Sequence, residues 1–116
     1  MNYKGSCHCG QVKFTVEGEI DKVMECNCSF CSRKGLLLWF VPRTKFEIKT
    51  SEAELTTYQF NKHRIEHMFC PKCGVQPFAL GKNPDTGTEM AAINVRSLEG
   101  IDLANINKFP FDGRSM

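Results

Sequence analysis

Cys70-Pro71-Lys72-Cys73-Gly74-Val75-Gln76-Pro77 decides between two folds. A C-x-x-C pair that opens a helix belongs to thioredoxin-like redox proteins of the α/β class. Here the second cysteine is followed by Gly-Val-Gln-Pro, which is not a helix start. Proline tightens the turn, and the following glycine permits a positive φ, leaving backbone N–H groups free to point at sulfur. The reading is therefore a zinc knuckle. A knuckle supplies two of the four tetrahedral positions that a structural zinc requires. The matching pair lies sixty residues upstream, in Cys7-His8-Cys9-Gly10. In an extended strand, residues i and i+2 share a face, so Cys7 and Cys9 are expected on one side of a strand with Cys70 and Cys73. Such a site would staple the N-terminal strand to the middle of the chain.

His8 and His67 sit close to these ligands without joining them. His8 is the middle residue of its C-x-C and points away from its neighbours' metal. His67 precedes Cys70 by three positions, so the two face opposite ways in a strand. Both are read as packed or surface histidines.

The remaining three thiols form Cys26-Asn27-Cys28-Ser29-Phe30-Cys31. Seven cysteines thus divide as four plus three. Three protein ligands with an open fourth position are the usual form of a catalytic zinc, although a histidine completing a structural site is a rival reading. Three thiolates make zinc a weak Lewis acid toward water. It remains a good partner for an incoming thiol, because the ion is borderline-soft. The expected substrate is an exogenous small-molecule thiol, with hydrolysis second. Arg33 and Lys34 follow this cluster. They are candidate anchors for a carboxylate on that thiol, or else part of a solvated basic turn, as is Lys62-His63-Arg64.

Away from the cysteines, period-two alternation recurs and long helical periodicity does not. Val12, Phe14 and Val16 alternate with polar residues, as do Phe46 and Ile48; Tyr58 and Phe60 lead through an Asn61-Lys62 turn to Ile65, His67 and Phe69. Leu36–Val41 reads as a central strand buried on both faces and ended by Pro42. Phe78–Leu80 and Ala91–Val95 supply two more strands around the turn at Asn83–Gly87. Single helical turns are expected at Ser29–Lys34 and Ser97–Asp102. The expectation is a mainly β, mostly antiparallel fold in a single domain spanning residues 1–116. Little chain remains after Phe111 to elaborate a pocket.

The formal charge is +2, from 15 Lys and Arg against 13 Asp and Glu. Zinc in both thiol sets would bring it to about −1. A near-neutral chain gives no electrostatic case for nucleic-acid binding. Its longest apolar run, Leu36–Val41, is too short to span a bilayer, so no membrane association is expected. An odd, clustered set of thiols with no apolar leader fits a reducing cytoplasm rather than a secreted disulfide framework.

Together, Gly5–Gly10, Cys26–Cys31 and Phe69–Gly74 resemble the glutathione-dependent formaldehyde-activating enzyme family, which includes centromere protein V. The likeness runs from about residue 2 to Phe111. It implies several coiled antiparallel sheets around zinc, as in methionine sulfoxide reductase B. It also implies a structural zinc on Cys7, Cys9, Cys70 and Cys73, and a second, displaceable zinc at an active site of Cys26, Cys28 and Cys31. The implied reaction is that of a carbon–sulfur lyase, joining formaldehyde to glutathione as S-(hydroxymethyl)glutathione. The alternative is a non-catalytic, zinc-stabilised thiol carrier or interaction module.

Overall fold

In the computed structural model, which describes residues 1–50, 55–60 and 64–115, the alternation at Phe14 and Val16 becomes strand β2 (Lys13–Glu17). Phe14 and Val16 are buried while Lys13 and Glu17 are exposed. Strand β1 (Asn2–Ser6) pairs antiparallel on one side of β2, and β5 (Phe46–Ile48) on the other. Gly5 lies opposite Phe14 in this register. A Cβ at position 5 would strike the Phe14 ring, so only glycine lets the ring lie flat across β1.

The second sheet has seven strands. In spatial order they are β10 (Asn107–Phe111), β3 (Lys22–Cys26), β4 (Leu38–Pro42), β9 (Glu89–Asn94), β8 (Phe78–Lys82), β7 (Ile65–Phe69) and β6 (Thr56–Tyr58). Every neighbouring pair is antiparallel except β10 with β3, which is parallel. The core forms where the two sheets meet. Phe14 and Phe46 of the small sheet close on Phe78 of the large one, with ring centroids 4.8–5.6 Å apart. Such tilted and edge-on contacts add to the area that the rings bury.

The structure departs from the sequence reading at several elements. Only one face of β4 is buried: Trp39 and Val41 point inward, whereas Phe40 is 45% exposed. An antiparallel sheet packs one face and leaves the other open, so the apolar run at Leu36–Val41 is not a doubly covered strand. Leu36 and Leu37 are buried but precede the strand, and Pro42 is its last residue. The helical turn expected at Ser97–Asp102 is replaced by 3-10 turns at Val95–Ser97 and Leu103–Asn105. Each is capped by the side chain before it: Asn94 accepts from the Arg96 N–H at 3.2 Å and Asp102 from the Ala104 N–H at 3.1 Å. Strands β1, β3 and β10 carry too weak an alternation to be read from sequence. Pro110 in β10 is tolerated because that strand lies at the sheet edge. The expected Asn61-Lys62 turn, with His63, lies outside the described residues.

Candidate functional site

The two knuckles converge as expected, by a different local geometry. Cys7 follows the end of β1, and Cys9 lies within a turn rather than in a strand. The turn is closed by the Gly10 N–H on the Cys7 carbonyl at 3.3 Å, with Gly10 at φ 82°. Strand residues i and i+2 stand roughly 6.6 Å apart, too far for their sulfurs to share an ion comfortably. The turn brings the Cys7 and Cys9 sulfurs to 3.6 Å. At Cys70–Gly74 a matching turn forms, with the Gly74 N–H on the Cys70 carbonyl at 2.8 Å and Gly74 at φ 80°. Cys9 and Cys70 sulfurs are also 3.6 Å apart, and all four lie within 4.8 Å of one another.

A zinc–sulfur bond of about 2.3 Å in a regular tetrahedron sets sulfurs roughly 3.8 Å apart. The four-thiol set fits that spacing. None of the seven cysteines forms a disulfide. His8 is exposed and outside the set; His67 is buried and also outside it.

Cys26, Cys28 and Cys31 form the second cluster, again with sulfurs within 4.8 Å. Cys26 ends β3, and Cys28 caps the short helix α1 (Ser29–Lys34), in which Cys31 is buried. Backbone donors orient two of the sulfurs: the Cys28 N–H reaches Cys26 Sγ at 3.4 Å and the Cys31 N–H reaches Cys28 Sγ at 3.3 Å. Gly35, left-handed at φ 68°, ends the helix by donating to the Cys31 carbonyl. No fourth Cys, His, Asp or Glu joins the cluster among the described residues. Burial, reinforced by the neighbouring thiols, pushes the Cys31 thiol up, and burial does the same at Cys26. At Cys28 burial is outweighed by the Cys31 N–H and the adjoining thiols, and its thiol is lowered. Three thiolates this close repel one another without a cation between them, so the donor set suits a thiophilic divalent ion.

A family model described as glutathione-dependent formaldehyde-activating enzyme matches residues 2–106. The chain belongs to that family. A crystal structure of a Rhodobacter sphaeroides protein, a structural-genomics target, has the same fold. It is 30% identical, with a TM-score of 0.79 over 92% of this chain and 97% of that one. The glutathione-dependent formaldehyde-activating enzyme family is one of carbon–sulfur lyases, and both cysteine clusters of this member are compatible with zinc. No helix among the described residues is long and apolar enough to cross a membrane.

Beyond the span matched to the family, the last residues wrap the three-thiol cluster. Asn27 organises them: its N–H donates to the Phe111 carbonyl at 3.1 Å and its Nδ2 to Asp112 Oδ1 at 3.0 Å, while its Oδ1 accepts from the Arg114 N–H at 2.9 Å. Gly113 then passes so close that a Cβ there would meet Cys26 Sγ at 2.5 Å. The short stretch after Phe111 thus does shape a pocket. A groove of about 510 Å³ opens between this strap and α1, lined by Cys26 and Cys31 together with Ser32, Leu36, Phe111 and Arg96. A larger hollow of about 640 Å³, among Arg43, Arg64, Glu66, Lys82 and Glu89, contains no thiol.

Arg33 and Lys34 do not line the groove. Arg33 turns back to donate to the Ser29 carbonyl at 2.8 Å. The Lys34 ammonium lies over the Phe30 and Phe69 rings, 5.9 and 5.0 Å from their centroids. Arg96, distant in sequence, reaches the groove because β9 carries it past the end of α1; its Nε donates to the Gly35 carbonyl at 3.1 Å.

On the other side of α1, Phe30 packs on His67, Tyr58 and Phe60, with centroids 4.3–5.5 Å away. Burial, and secondarily the Lys34 charge, lower the His67 pKa from 6.5 to about 4. The unfolded chain therefore takes up this proton at higher pH than the folded one. Stability from neutral His67 is complete above about pH 6.5 and is lost as pH falls toward 4, by up to about 3 kcal/mol. Denaturant titrations of the wild type and His67→Phe between pH 7 and 4 isolate this part, since acid effects on the thiols cancel in the difference. The wild type is expected to lose more stability across that window; parallel profiles would remove His67 as the cause.

Proposed function

We propose that this protein is a zinc-dependent carbon–sulfur lyase that condenses a thiol, glutathione foremost, with formaldehyde at Cys26, Cys28 and Cys31. The observation that carries the proposal is the convergence of these three sulfurs beside a groove, with no fourth side-chain ligand among the described residues. Family membership supports the reaction class. In this reading Cys7, Cys9, Cys70 and Cys73 hold a structural zinc, and Cys26, Cys28 and Cys31 hold a second.

Zinc held by the three cysteines would favour the deprotonated form of an incoming thiol near neutral pH. The chain's own contribution is placement. The Cys28 and Cys31 N–H groups fix the directions of two sulfurs. Leu36, Pro110 and Phe111 give the groove apolar walls that limit water around the reacting atoms. A substrate sulfur lone pair forms the new bond to the formaldehyde carbon. The carbonyl π electrons pass to oxygen, which takes up the proton given up by the thiol, leaving a hydroxymethyl thioether.

Exchange spectroscopy by NMR on glutathione and formaldehyde tests this directly. Zinc-loaded protein is expected to raise the exchange rate above the uncatalysed addition, modestly because that addition is already facile. An unchanged rate overturns the lyase reading for this pair, and tight glutathione binding without acceleration identifies a carrier instead.

A further inference from the structure

Asn27 stands between two thiols of the cluster, and both ends of its amide are engaged with residues 85 and 87 positions further along the chain. Its Nδ2 donates to Asp112 Oδ1 at 3.0 Å, and its Oδ1 accepts from the Arg114 N–H at 2.9 Å. The Asn27 N–H adds a third bond, to the Phe111 carbonyl at 3.1 Å. The other oxygen of Asp112 accepts from Ser115 Oγ at 2.6 Å, which steadies the 3-10 turn Gly113–Ser115. This stretch lies beyond residues 2–106, the span matched to the family model. We propose that residues 111–115 are a clamp, fastened by Asn27 and Asp112, that holds Cys26 and Cys28 in place and slows loss of the ion carried by the three-thiol cluster. This assignment rests on the reading of Cys26, Cys28 and Cys31 as a second metal site and names the residues that retain its ion.

Gly113 measures how closely the clamp lies. A Cβ there would meet Cys26 Sγ at 2.5 Å and Cys28 Cβ at 3.1 Å. The Gly113 Cα sits one carbon–carbon bond of about 1.5 Å behind that point, so backbone lies within about 4 Å of the Cys26 sulfur, in van der Waals contact. Gly113 lacks the left-handed φ of Gly10, Gly35 and Gly74, so glycine is needed here for space rather than for conformation. An ion held by three thiolates leaves by releasing them in turn, and each release requires a sulfur to swing away about its Cα–Cβ bond. Contact with Gly113 restricts that swing at Cys26, whose sulfur is also held by the Cys28 N–H at 3.4 Å. Cys31 needs no such cover, because it is already buried within α1. The fastening is also matched in polarity, an amide against a carboxylate. Exchanging the two side chains, Asn27→Asp with Asp112→Asn, would keep all three side-chain bonds. The carboxylate at position 27 would accept from the amide at 112 and from the Arg114 N–H, and the amide oxygen at 112 would accept from Ser115 Oγ.

The test is the rate at which zinc-loaded protein gives up its metal to a chromophoric chelator in stopped flow. Two phases are expected of the wild type, and the phase missing from Cys31→Ser belongs to the three-thiol cluster. Asn27→Ala, Asp112→Ala and Gly113→Ala are each expected to speed that phase at least tenfold, as loss of hydrogen bonds to a charged partner or of close packing does, and to leave the other phase within twofold. Asn27→Asp alone sets two carboxylates against each other and should be at least as fast as Asn27→Ala. The exchanged pair should return to within about threefold of the wild type, a recovery that a merely structural role for either residue would not produce. Unchanged rates in Asn27→Ala and Gly113→Ala, or an exchanged pair as fast as Asn27→Asp, overturn the clamp while the metal site stands. Acceleration of both phases together in the single variants marks general loosening of the fold and overturns it equally. A wild type that releases one zinc per chain, with no phase lost in Cys31→Ser, overturns both readings. Should Gly113→Ala fail to load zinc, Asp112→Ala and the exchanged pair still decide, since position 112 is exposed and remote in sequence from every thiol.

Discussion

Replacing Cys73 with serine is expected to abolish cooperative folding at room temperature. Cys73 is only half-buried, and serine is close to its shape, so little of the effect comes from packing. What is lost is the fourth sulfur of the Cys7, Cys9, Cys70, Cys73 set. Binding of zinc to such a site is worth on the order of 10 kcal/mol, comparable to the whole stability of a chain this size. The set also ties the turn after β1 to the turn after β7, closing a long loop whose ordering entropy is otherwise unopposed. Elemental analysis with thermal unfolding followed by circular dichroism would check the outcome. The expected result is loss of one zinc together with the unfolding transition. A variant that keeps its transition within a few degrees of the wild type would show that the sheets hold without this metal.

The opposite behaviour is expected of Cys31→Ser. Zinc should fall from two per chain to about one, the fold should persist, and thiol binding should be lost. Cys31 lies in a helix of six residues, peripheral to the sheet-to-sheet core around Phe14, Phe46 and Phe78. The local frame has other supports, including the Asn27 bonds to Phe111, Asp112 and Arg114. The same zinc measurement, made together with the melt, separates the two roles. If Cys31→Ser unfolds with loss of both metals, the three-thiol cluster is structural and the proposed chemistry falls with it.

Both candidate clusters were legible in the sequence because cysteine spacing is a local property. Turn chemistry at Cys70-Pro71-Lys72-Cys73-Gly74 needs only five residues, and the four-plus-three division follows from the number of thiols. The strand alternations at Phe14–Val16 and Phe46–Ile48 were legible for the same reason, since each reports its own buried face. The Cys7-His8-Cys9 stretch looks identical in a strand and in a turn until the sulfurs have to meet; only the 3.6 Å separation distinguishes them. Leu36–Val41 misled because hydrophobicity alone does not say whether the second face of a strand is covered, and at Phe40 it is open.

The groove illustrates the remaining gap. Arg33 and Lys34 are the cations nearest the cluster in sequence, yet one folds back onto its own helix and the other lies on aromatic rings. Arg96 and the strap around Gly113 come from chain more than sixty residues away, delivered by the β4–β9 pairing and by the parallel β10 at the sheet edge. By itself the sequence determined which atoms can hold metal and that the chain is built of short strands, because ligand identity and side-chain alternation are written residue by residue. Tertiary structure alone decided what surrounds the open site, because pairing between distant strands determines which charges, walls and backbone reach the sulfurs.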